Sequence, residues 1–218
     1  MPAPLRRARF GVLARGLATA ALLGATAPWW GPVWCAALAP LLEGVLVATA
    51  APWDTAQVTL AKHGEQAVLA ALFSTVDGFV YRGFPVPPGV WVQTQTLQGY
   101  AWQHPVILLT LWAAWPLPGT ATRLRAGAAL LMAIVPLAVL DLALTLRGSL
   151  TDLMLAGTAP ELIASSMPVQ AMRLLEAGGR AALDLAVGVA MLAALWRPAT
   201  VGPAAAQRRR AEATGAPQ

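Results

Sequence analysis

Two carboxylates, Asp141 and Asp184, lie inside stretches of this chain that are otherwise almost wholly apolar. A carboxylate in such a place needs a partner or a task, because an isolated charge in apolar surroundings is strongly unfavourable. Each has an arginine close in sequence. Arg180 stands four residues before Asp184, on the same face if the segment is helical, and Arg147 stands six residues after Asp141. The spacing favours structural ion pairing; a relay in a small transporter is the chemical alternative. Cys35, His63 and His104 form a second set, the residue types a thiol peptidase or transpeptidase would use as nucleophile and base. Their spacing matches no signature. Cys35 reads equally as a small buried apolar residue, His104 as an interfacial cap beside Pro105, and His63 as an exposed loop residue. Two histidines without HxxxH, CxxC or HExxH spacing point to no metal site, and no phosphate-binding or G-x-S-x-G motif is present, so no cofactor is expected.

The elements that must position these residues are four apolar runs, about 10–27, 100–117, 126–146 and 181–196. A membrane helix needs about 20 apolar residues, so the second and fourth are short. Pro136 should kink the third. Trp29, Trp30, Trp102, Trp112, Trp115 and Trp196 fall near the ends of the runs, where indole rings anchor helices at a membrane surface. Ala25-Thr26-Ala27 has the form of a signal-peptide cleavage site, but Pro28 follows it, so the first run reads as an uncleaved anchor.

Charge supports the same division. The 218 residues are 57% hydrophobic and 11% charged, against roughly 25% charged in soluble domains. Arg6, Arg7, Arg9 and Arg15 precede or enter the first run, Arg123 and Arg125 lie between the second and third, and Arg197, Arg208, Arg209 and Arg210 follow the last. Nine of the ten acids fall on the other side of that pattern. Sorting of this kind follows the positive-inside rule. It predicts a bacterial inner-membrane protein with both termini cytoplasmic and its large loops periplasmic. The net charge of +5 is spread over helix ends rather than gathered in a stripe, which argues against nucleic acid as a partner. The lipid bilayer is the expected partner, together with a second membrane protein.

Four divisions follow. Residues 1–27 are a basic start and the first membrane helix. Residues 28–99 are external: Pro28-Trp29-Trp30-Gly31-Pro32 should break the helix, 33–49 should form a second, interfacial helix lying at the outer surface or packed on the bundle without spanning, and short β-strands should come next. The best strand signal is 90–96, with 57–60 and 79–82 weaker. Residues 100–197 hold three more membrane helices and an external loop, 147–179, helical in two pieces broken at Pro160 and Pro168. Residues 198–218 read as a disordered cytoplasmic tail. The expected fold is therefore a mainly α membrane protein, four transmembrane helices with a small external α+β region. Trp29, Trp30, Trp34, Trp53, Trp91 and Trp102 should gather on the outer side as a packed belt or as a ligand groove.

The order of these parts resembles a known family. The break at Ala27-Pro28-Trp29, the approach to Gln98-Gly99-Tyr100, the segment Pro105-Val106-Ile107-Leu108-Leu109 and the helix end Ala114-Trp115-Pro116 are similar to the exosortase H-associated membrane proteins. The chain departs from the family at Thr96-Leu97-Gln98, where a polar residue is expected before the Gly-Tyr. The resemblance implies an accessory role in sorting proteins to the cell envelope, with no catalytic residues to carry over. The residues alone lead to a similar expectation, a non-catalytic membrane subunit, with the thiol enzyme and the small transporter as alternatives.

Overall fold

The computed structural model describes residues 3–49 and 53–195. The chain is mostly helical, with three apolar helical stretches long enough to cross a membrane, Gly11–Thr49, Thr120–Thr158 and Met167–Leu195, and a small sheet region. The elements are α1 (Ala3–Thr49), β1 (Trp53–His63), β2 (Gln66–Thr75), β3 (Phe79–Tyr81), β4 (Phe84–Val86), β5 (Trp91–Leu97), α2 (Gln98–Ala114), α3 (Thr120–Thr158), a 3-10 turn (Pro160–Ser165), α4 (Met167–Leu174), a π-type turn (Leu175–Gly179) and α5 (Arg180–Leu195).

Helix α1 corrects the sequence reading. It runs unbroken through Pro28, Pro32 and Pro40, so no interfacial helix starts at residue 33 and the boundary after residue 27 falls inside a helix. The burial pattern explains why. Ala27, Gly31, Cys35, Leu38, Leu42 and Leu46 form one buried stripe at helical spacing, while all three prolines are exposed on other faces. A proline costs a helix one hydrogen bond and some steric strain; here a continuous buried face holds the axis across those sites. Helix α3 likewise extends twelve residues past the expected end at 146, to Thr158. The 147–179 segment is then broken at Ala159 and Ser166, the residues just before the 3-10 turn and α4. Of the four runs expected to span, the one corresponding to α2 is 17 residues long, short of membrane length.

The projecting halves of α1 and α3 carry the sheet. Strands β1, β2 and β5 form an antiparallel sheet in the order β1-β2-β5, and β3 and β4 form a separate hairpin. One sheet face, including Ala56, Val58, Leu69, Ala71 and Phe73, packs on Leu38, Leu42 and Leu46 of α1 and Leu142, Leu146 and Leu150 of α3. Glu43, the one acid of α1, accepts a hydrogen bond from the Val58 backbone N–H at 2.8 Å and pins β1 to the helix. The β1–β2 link is a two-residue loop with Gly64 at φ 61°, the glycine-first form. The β3–β4 turn is Arg82-Gly83, both with positive φ, so Arg82 is a turn residue rather than the end of a strand. This hairpin docks on α3: the Arg82 N–H donates to the Gly157 carbonyl at 2.8 Å, and the Tyr81 ring occupies the place a Cβ on Gly157 would take.

A second core sits at the other end, where Leu108, Ala126, Leu130, Ile134 and Leu192 meet. Here Arg123 stacks on the Trp112 ring and donates to the Ala113 carbonyl, tying the turn between α2 and α3. Away from both cores, Leu13, Leu17, Leu22, Leu131, Met132, Leu140 and Val189 stand exposed. That apolar outer surface suits contact with lipid. Trp196 and the 198–218 segment lie outside the described residues.

Candidate functional site

Three helices each contribute a pair of residues four apart to one buried polar cluster: Tyr100 and His104 from α2, Asp141 and Thr145 from α3, Arg180 and Asp184 from α5. Spacing of four sets each pair on one helical face. The stripe on α5 continues below the charges as Gly188 and Leu192, which are buried, so one side of that helix passes from ionic to apolar. Gly178, at φ 107°, turns the chain so that Arg180 opens α5 facing inward.

The geometry is a chain of contacts. Asp184 Oδ1 faces His104 Nδ1 at 2.7 Å, and Asp141 Oδ2 faces His104 Nε2 at 3.0 Å. The same Asp141 oxygen accepts from Arg180 Nε. Arg180 Nη2 donates to Thr145 Oγ1 at 3.1 Å, and the guanidinium lies 3.9 Å from the centre of the Tyr100 ring, a cation–π stack that helps replace lost hydration. A ring that faces carboxylate oxygens with both nitrogens donates twice only as imidazolium; otherwise one facing carboxyl carries the proton. In either arrangement the two acids, the arginine and the histidine sum to zero charge. His104, Asp141, Asp184 and Arg180 are all 0–2% exposed. Desolvation on this scale requires that each charge meet an opposite one, which it does, while Asp141 Oδ1 and Asp184 Oδ2 are buried with no hydrogen-bond partner among the described residues.

The cluster revises the sequence pairings. Asp184 does not pair with Arg180 four residues away; it takes His104, and Arg180 reaches across to Asp141. Arg147 makes no ion pair among the described residues. His104 is not an interfacial cap; it is fully buried between two acids. Tyr100 and Thr145 are members of the cluster that the sequence reading did not include, although their spacing of four from His104 and Asp141 is a usable signal.

The nucleophile set is not brought together. Cys35 is 1% exposed, walled in by core residues such as Leu38 and Ala101. His104 has both nitrogens engaged, and His63 is exposed at the tip of the β1–β2 hairpin. No group of three or more His, Cys, Asp or Glu residues is placed to hold a metal ion among the described residues.

The tryptophans divide rather than gather. Trp30 meets Trp102 edge-on at 6.1 Å, and Trp34 donates to the Ala101 carbonyl at 2.8 Å, so these two seat α2 on α1. Trp29 is 76% exposed beside them. Trp112 donates to the Arg123 carbonyl at the opposite end of α2, near Trp115. Trp53 packs edge-on against Phe73 in the sheet core, and Trp91 stands half exposed on β5.

The arrangement acts as an interlock of α2, α3 and α5, neutral overall and closed to solvent. Comparisons with family models, with curated proteins and with solved structures found no match to this chain.

Proposed function

We propose that this chain is a non-catalytic integral membrane subunit, an accessory protein that holds a partner within a bacterial cell-envelope complex. One contrast carries the reading. The four buried ionisable groups of the bundle, His104, Asp141, Arg180 and Asp184, are engaged with one another, while large apolar side chains stand in the open at the sheet end: Val80 is 59% exposed, Phe84 74% and Trp91 49%. Large apolar side chains left exposed on strands beyond a membrane segment suit a protein contact.

The bundle crosses the inner membrane four times, with α2 as the short second crossing and α1, α3 and α5 as the others. Both termini are cytoplasmic and the sheet is periplasmic. The packing supports this placement: Gly16 meets Thr110 and Ala114, and Trp112 meets Arg123, so Arg15 and Arg123 share one end while the sheet occupies the other. The resemblance in layout to exosortase H-associated membrane proteins extends the proposal to envelope protein sorting.

The test is extraction in mild detergent at native expression. A membrane protein should co-elute with this chain at a fixed ratio. Elution of this chain by itself overturns the reading.

A further inference from the structure

Strand β5 is hydrogen-bonded on one side only, to β2, and its other edge opens onto a trough of about 320 Å³. Four consecutive residues, Val90 to Gln93, line one wall, so the strand meets the space edge-on rather than by one face. Phe79, Tyr81 and Val86 of the β3–β4 hairpin form the opposite wall, and Leu153 and Met154 of α3 the floor. The walls are rigidly held. Thr75 N–H donates to the Val90 carbonyl at 3.1 Å and Gly89 N–H to the Thr75 carbonyl at 2.9 Å, while the hairpin is anchored at Gly157. Backbone direction alternates along an antiparallel ladder. With Val90 turned toward β2, the N–H and C=O groups of Trp91 and Gln93, both of which line the trough, point away from β2.

We infer that this trough receives an extended apolar segment of a partner protein, which adds to β5 as a further strand. The inference rests on the accessory reading above and names the chemistry of its contact. A row of backbone donors and acceptors beside an apolar floor is satisfied by extended peptide and not by lipid, since acyl chains offer no hydrogen bonds. Leu195, the last described residue, packs at the Arg123 end, away from the sheet. Every second side chain of the added strand would enter between Tyr81 and Met154, and the intervening ones would face solvent.

The test uses the full chain in lipid nanodiscs and a library of strand-length peptides displayed on phage. Selected peptides should carry apolar residues at alternating positions. N-methylation of alternate peptide nitrogens separates strand addition from greasy contact. Methylation in one parity should weaken binding by about tenfold or more, through lost hydrogen bonds, and in the other parity hardly at all. Met154→Trp, which fills the floor, should abolish binding while leaving the melting temperature within a few degrees. Equal effects of the two parities, indifference to Met154→Trp, or no enriched peptide would overturn the inference. A second arm places p-benzoylphenylalanine at position 93 in native membranes. Cross-linking to a non-self polypeptide within an extended segment supports the assignment; cross-linking to lipid or to a second copy of this chain overturns it. If a partner still co-elutes while these arms fail, the docking assignment is wrong and the accessory reading stands.

Discussion

At the scale of single residues, charge placement separates two arginines that look alike in the sequence. Arg147 makes no ion pair among the described residues and is only half-buried. Arg180 is 2% exposed and pairs with Asp141. Arg180→Met should cost about 3–5 kcal/mol, because it leaves a buried carboxylate uncompensated, whereas Arg147→Ala should stay within about 0.5 kcal/mol. Thermal unfolding in detergent reads both. The double variant Arg180→Met with Asp141→Leu should recover most of the loss, since an apolar replacement of both partners strands no charge. If instead the double variant is worse than either single, the network is not the closed interlock described above. Cys35 supplies a second prediction at this scale. With its thiol sealed in the core, maleimide should modify it only after unfolding, and Cys35→Ala should leave any partner association intact. Asp141, Asp184 and His104 were visible in the sequence as polar groups in apolar runs, and Arg180 by its spacing of four from Asp184. Their partnerships were not, because helix rotation, and not proximity along the chain, decides which side chains meet.

At the scale of elements, the length of α1 is the sharpest expectation. Spin labels at Leu17 and Gly44 should lie about 40 Å apart if the helix is continuous, at 1.5 Å per residue. A chain folded back at Pro28–Pro32 would place them much closer, and pulsed electron paramagnetic resonance distinguishes the two. The β3–β4 hairpin gives another. Gly157→Val puts a side chain where the Tyr81 ring lies and should destabilise the docking by about 1–3 kcal/mol, the usual cost of overpacking. Loosening the hairpin exposes the Arg82 backbone, so trypsin should cut there faster than in the parent protein. The strands were legible unevenly. β5 alternates apolar and polar residues and could be read directly. β2 carries the run Ala67 to Phe73, and from Val68 onward successive residues are buried or half-buried, so both its faces are covered and the alternation that marks a half-buried strand is missing.

At the scale of the whole molecule, two cores divide the labour. The lower one, around Leu108, Leu130 and Leu192, holds the bundle together. The upper one, around Leu42, Phe73 and Leu146, joins bundle and sheet into one unit. The ionic cluster lies between them, about 24 Å along α3 from Arg125 at 1.5 Å per residue. In the orientation proposed above, with Arg125 at one boundary of a hydrocarbon layer of about 30 Å, this depth would put it near the boundary on the sheet side. The proposed orientation is tested by cysteine accessibility in a Cys35→Ala background. His63→Cys should label from outside intact cells, and Arg125→Cys only after permeabilisation. The reverse result would invert the map.

Composition and hydropathy along the chain determined that the helices are apolar enough for a membrane and that a small β-region interrupts them. Those are local properties, set by which residues are present and at what period. Packing decided the rest. A proline breaks a helix or is carried along according to whether a continuous buried face spans it, and α1 has that face. An acid pairs with whichever cation its neighbouring helix turns toward it, and α5 turns Arg180 to Asp141 while α2 turns His104 between both carboxylates. Neither outcome is encoded in any short stretch of sequence, because each depends on surfaces brought together only when the bundle closes.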